Sequence, residues 1–139
     1  MIIYTGDAYY CKTDLISKGF KFRELWEGVT LLGLDWNISE DEILDRPGAL
    51  LSEDYLYELG KALCKTPNIK LFTHNNILIL GVRVGVKNGV IPAKDVDIVF
   101  YSGTNECHVI KIEEDGSISN WPDGFDSAID KAFRELFRC

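Results

Sequence analysis

The 139-residue chain contains no apolar run near the ~20 residues that a membrane span requires. Its start, Met1-Ile2-Ile3-Tyr4-Thr5-Gly6-Asp7, lacks the charged opening and long apolar stretch of a signal peptide. Both absences point to a cytoplasmic protein. Cysteine is sparse and dispersed. Cys11, Cys64, Cys107 and Cys139 form no Cys-x-x-Cys pair, so reduced thiols are expected and a zinc site with His108 has no support from spacing. Positive charge is in deficit, with 15 Lys+Arg against 22 Asp+Glu and a net charge of −7. That balance argues against passive binding to nucleic acid or to an anionic membrane. The common chemical motifs are missing too: there is no Gly-x-x-x-x-Gly-Lys-Ser/Thr phosphate loop, no Gly-x-Gly-x-x-Gly, no Gly-x-Ser-x-Gly and no His-Glu-x-x-His.

What is present suits one globular domain. Apolar content is 46% and charged content 27%, ordinary for a chain long enough to bury a core. The first fourteen residues read as an irregular start with a short strand and a turn. From Asp14 the spacing of Leu15, Phe22, Leu25, Trp26, Val29 and Leu32 is helical, and Asp35 to Asp45 reads as an acidic loop or short helix. Ser52 caps a helix whose stripe is Tyr55, Leu56, Leu59 and Leu63. Ile69 to Thr73 is a short buried strand. A helix from Asn76 to Asn88 stops at Gly89. Val96 to Tyr101 and Cys107 to Glu113 are strands that form an antiparallel edge, Glu114-Asp115-Gly116 is a hairpin turn, and a last helix runs from Asp126 to Phe137. Helices alternating with strands predict an α/β fold: a single layered domain with a mixed β-sheet packed by helices.

Leu71-Phe72-Thr73-His74-Asn75-Asn76 stands out, because a polar trio ends a buried strand where α/β sheets place their working groups. Two readings stand for His74, a functional group or a strand-end histidine bonded to backbone. Asp97 lies inside an apolar strand and needs a partner or an edge. Glu40, Asp41, Glu42 and Asp45 are either a solvated acidic stretch or oxygen ligands for a metal.

Three stretches carry a family resemblance: Thr73 to Asn76; Leu80-Gly81-Val82-Arg83 through Ala93-Lys94-Asp95-Val96 to Tyr101; and Ile110 to Gly116 followed by Ile118-Ser119-Asn120-Trp121-Pro122-Asp123-Gly124-Phe125-Asp126. Together they resemble the C-terminal half of bacterial ABC-type ATPases with SMC- and OLD-like heads, ending in an uncharacterised tail of DUF3696 type. Asp45-Arg46-Pro47 is similar to the family's Walker B segment, and Leu15 to Phe20 to its signature region, so the likeness spans roughly residues 15 to 126. The chain departs from the pattern in four ways: it has no Walker A lobe, Arg46 stands where the family has a catalytic glutamate, Glu40-Asp41-Glu42-Ile43-Leu44 stands where the family has a continuously apolar strand, and Lys18 and Lys21 replace small signature residues.

The resemblance implies a back-lobe fold and no autonomous ATP hydrolysis, since hydrolysis needs a phosphate cradle, magnesium ligands and a water-orienting group together. His74, Asp45, Ser17 and Gly19 would meet ATP and magnesium only in complex with a partner, with His74 as the switch histidine. Trp121 and Phe125 are the candidate partner contacts. The first expectation is a non-catalytic accessory protein bound to a P-loop ATPase or nuclease subunit, or self-associated, in a mobile-element or antiphage setting. The alternatives are half of a split ATPase supplying His74 in trans, or a small metal-dependent nuclease or hydrolase using Asp45, Asp97 and His74.

Overall fold

Ile2, Ile3, Tyr4 and Thr5 are β-branched or aromatic, and the strand they form is the central one of the sheet. The computed structural model describes residues 1–24, 39–49, 51–66, 68–103, 106–118, 120, 122, 132 and 135–137. In chain order the elements are β1 (Ile2–Gly6), α1 (Ala8–Ser17), β2 (Lys21–Glu24), β3 (Glu42–Asp45), α2 (Glu53–Leu63), β4 (Lys70–Phe72), α3 (Asn76–Lys87), a 3-10 turn at Ala93–Asp95, β5 (Asp97–Tyr101) and β6 (Cys107–Lys111). They build one six-stranded mixed sheet of order β2-β3-β4-β1-β5-β6, as the α/β reading requires. β1 is parallel to both β4 and β5, and β6 closes the edge antiparallel to β5.

The order decides the faces. From β1 the chain moves toward β2, whereas from β3 and β4 it moves the opposite way. Right-handed crossovers then put α1 on one face and α2 and α3 on the other. The alternating strand residues follow this division. Tyr4, Ile43 and Phe72 pack with Cys11 and Leu15 of α1, while Ile3, Leu44 and Leu71 pack with Leu59, Leu63, Leu78 and Val82. Burial pushes the Cys11 thiol up to about 12 and the Cys64 thiol up to about 11, so both stay as inert thiols. Across the first face, the Tyr101 hydroxyl donates to Asp14 Oδ2 at 2.6 Å, and Lys18 lies 3.1 Å from the same oxygen. The tyrosine first and the lysine second hold the Asp14 carboxyl below its ordinary value.

On the second face α2 and α3 touch backbone to backbone. A Cβ on Gly60 would lie 2.2 Å from the Leu78 carbonyl oxygen, and one on Gly81 2.3 Å from that of Tyr57. The glycines are therefore the condition for this helix contact.

The expected segments from Ser52 onward hold, with ends shifted by a residue or two: α2, β4, α3 and the β5–β6 edge are all present. Gly116, at φ 83, makes the hairpin turn, where Glu113 N–H donates to the Ser117 carbonyl. Two early expectations are corrected. The helix read from Asp14 starts earlier, at Ala8 behind the Asp7 cap. It ends at Ser17, because Gly19 turns the chain at φ 93, so Lys21–Glu24 is a strand. The acidic stretch before Asp45 is also a strand at Glu42–Asp45, because Ile43 and Leu44 are fully buried on opposite faces while the acids sit at its ends. The rest of the first expected helix, 25–34, and most of the last lie outside the described residues; within the last, 132 and 135–137 are described and helical.

Gly81→Ala is expected to cost about 2 kcal/mol by urea unfolding, the scale of overpacking against rigid backbone. Gly89→Ala, at φ 75 with open space around it, should cost about 1 kcal/mol from strain alone. A second expected outcome concerns pH. Asp14 has a depressed folded value, so its contribution is complete above the ordinary aspartate range and is lost as pH falls through the depressed one. The stability gap between wild type and Tyr101→Phe should therefore be widest at neutral pH and narrow in acid.

Candidate functional site

Ligands of open α/β sheets sit beyond the carboxyl ends of strands, where neighbouring connections leave on opposite faces. β1 and β4 are such a pair, since β1 leads into α1 on one face and β4 into α3 on the other. Gly6 ends β1 at φ 98, and a Cβ there would lie 2.2 Å from the Tyr101 carbonyl oxygen, so only glycine fits. Across the crevice, His74 Nε2 donates to the Gly6 carbonyl at 2.8 Å. This bond makes Nε2 the protonated nitrogen and leaves Nδ1 as an acceptor in the neutral ring. The ring edge also packs on Phe72, with centroids 4.9 Å apart.

Asp45 is paired with Phe72 in the β3–β4 register and is 2% exposed. A buried lone carboxylate would be costly. Lys12 answers it from α1, with Nζ 2.7 Å from Oδ2, and the same ammonium lies 5.4 Å from the Phe22 ring centroid and 5.8 Å from that of Phe72. Arg46 Nε lies 3.3 Å from Oδ1, near enough for charge attraction but outside hydrogen-bond geometry. Arg46 itself sits at φ 49, although the proline that follows favours extended backbone. Its N–H donates to the Phe72 carbonyl at 2.7 Å, which holds the turn in place.

Both nearby helix starts are already capped from within. Asp7 Oδ1 accepts the Tyr10 N–H at 3.0 Å, placing a carboxylate at the end of α1 where a phosphate would otherwise be favoured. Asn75 Oδ1 accepts the N–H groups of Ile77 and Leu78 at the start of α3. Beside this, Arg46, Pro47, Leu56, Thr73, His74 and Asn75 border a recess of about 190 Å³.

The structure brings Asp45 and His74 to the same end of adjacent strands. It does not bring Ser17 and Gly19 to them. Both lie between the end of α1 and the start of β2, at the amino end of the sheet, where Ser17 bonds the Asp14 carbonyl and Gly19 stops the helix. Asp97 also begins its strand at the amino end, ion-paired with Lys111, so the trio of Asp45, Asp97 and His74 does not converge. His108 is exposed on β6, 4.0 Å from Glu106. Glu40 and Asp41 are exposed, and Glu42 bonds Ser39, far along β3 from Asp45. Trp121 and Phe125 lie outside the described residues. Among the described residues, no three or more His, Cys, Asp or Glu side chains are grouped to hold a metal ion. Sequence reading missed Lys12 and Asp7. Asp7 had a local signal, an acidic residue just before a helix, whereas the Lys12–Asp45 pair joins positions 33 apart and has none.

Comparison with known proteins reaches only the second half of the chain. A family described as "Protein of unknown function (DUF3696)" matches residues 91–136, from the 3-10 turn through β5, β6 and the hairpin turn. This agrees with the tail resemblance and covers about a third of the chain. No curated protein and no solved structure matches it.

Lys12→Met should leave the Asp45 carboxylate buried without its cation and cost about 3 kcal/mol in chemical denaturation. Adding Asp45→Asn should recover more than half of that loss. An additive double mutant would mean that the pair does not act as a unit.

Proposed function

We propose that this chain is a non-catalytic, ATPase-related interaction protein whose former nucleotide corner now serves as internal structure. The observation that carries this reading is the Lys12–Asp45 ion pair, which commits the strand-end carboxylate to a cation of the protein itself. Hydrolysis of a magnesium nucleotide needs magnesium ligands, a phosphate cradle and a water-orienting group. The residues here do not fit it. Asp45 is flanked by Lys12 and Arg46, Asp7 places negative charge on the α1 start, and the turn after β1 is Gly6-Asp7 in place of a glycine-rich loop. The kinship with ABC-type heads rests on the Thr73–Asn76 and later segments, of which 91–136 match a family of unknown function. The partner we envisage is a P-loop ATPase or nuclease subunit that carries the missing lobe.

Isothermal titration of the chain with Mg-ATP should give no saturable heat at millimolar nucleotide, and incubation should release no phosphate. Tight binding or turnover by the chain alone would overturn the reading.

A second reading is favoured by one feature: His74 is exposed at the mouth of the crevice, with one ring nitrogen engaged. In a split ATPase it would contact nucleotide held by the partner. That version expects His74→Ala to abolish hydrolysis by the reconstituted complex, and equal rates with and without the substitution would eliminate it.

A further inference from the structure

Independently of any partner, we propose that the recess bordered by Arg46, Thr73 and Asn75 binds the carboxylate of a short aliphatic monocarboxylic acid. Its volume, about 190 Å³, is below the roughly 300–1,000 Å³ of drug-sized pockets and suits one small anion with a short tail. The donors are side chains whose other bonds set their direction. Asn75 spends its Oδ1 on the N–H groups of Ile77 and Leu78, at 2.8 and 3.3 Å, so its amide NH₂ is left to donate from the recess wall. These bonds also use up the helix start, so the site is made of side chains and does not rest on the α3 dipole. Thr73 Oγ1 accepts the Asn75 N–H at 3.0 Å, which leaves its hydroxyl proton to give. Arg46 approaches Asp45 by Nε at 3.3 Å without a hydrogen bond, is 44% exposed, and offers the terminal nitrogens of its fork.

The charge balance selects the ligand. Among the described residues that line the recess, Arg46 is the one Lys or Arg, and no Asp or Glu is among them. One carboxylate matches the single guanidinium of the lining, whereas a phosphate dianion would bring two negative charges to it. Leu56 and Pro47, both buried, give the recess an apolar floor for the alkyl tail.

The test is an NMR titration of the ¹⁵N-labelled chain with acetate, butyrate, inorganic phosphate and Mg-ATP at constant ionic strength, with chloride as the control. The expected result is saturable shifts at the Arg46 Nε–H and the Asn75 side-chain NH₂, with affinity rising from acetate to butyrate by about fourfold for each methylene that reaches the floor. Arg46→Gly suits φ 49 and so keeps the fold while removing the fork; it should abolish saturation. Arg46→Lys, which keeps the charge without the fork, should weaken binding severalfold. Shifts that track chloride without saturating, or survive in Arg46→Gly, would overturn the site. Phosphate binding more tightly than butyrate would overturn the choice of ligand. Neither result touches the non-catalytic reading, which the Mg-ATP arm tests separately.

Discussion

β1 lies between β4 and β5 and bonds to both, and the rest of the molecule is arranged around that insertion. Ile3 is fully buried on one face and Tyr4 nearly so on the other, so the strand anchors both cores at once. Because β1 sends its helix one way while β3 and β4 send theirs the other, the sheet acquires two covered faces and a crevice between β1 and β4. Gly6, His74 and Asp7 meet at that crevice because two neighbouring strands end there. Remove β1, and α1 loses its face of the sheet, Lys12 loses its position, and Asp45 loses its cation.

Electrostatics at this end of the sheet are settled internally. The buried Asp45 carboxylate is paired by a lysine from a helix on one face and approached by an arginine from its own turn. Both helix starts are capped by side chains from their own turns. At this corner the carboxylate meets cations of the chain itself, one from α1 and one from its own turn. The polar groups that keep spare donors, Arg46, Thr73 and Asn75, lie one step away, on the side of α2 and α3.

How far the sequence could be read depended on how local each signal was. α2, β4, α3 and the β5–β6 hairpin were readable because a cap, a period and a stop lie within a dozen residues of one another. The start is less legible, because Leu15 and Phe22 fall at helical spacing by coincidence across the Gly19 turn. β3 carries a weak local signal, because only two of its four residues are apolar, and their complete burial comes from neighbours far away in the chain. At the site, the resemblance points to Asp45 and His74, which lie at the same end of the adjacent strands β3 and β4 with different partners. Ser17 and Gly19 came from the same resemblance and sit at the other end of the sheet.

By itself the sequence determined the class of fold, the absence of a phosphate loop, the strand-end position of His74 and the backbone bond as one of its two readings. These depend on residue type and short-range order. Only the tertiary structure decided which cation Asp45 meets. A carboxylate's role depends on which cation reaches it, and here that cation is Lys12, 33 residues away and on another element. No local pattern encodes that distance. It follows from α1 crossing to the face that β1's place in the sheet dictates.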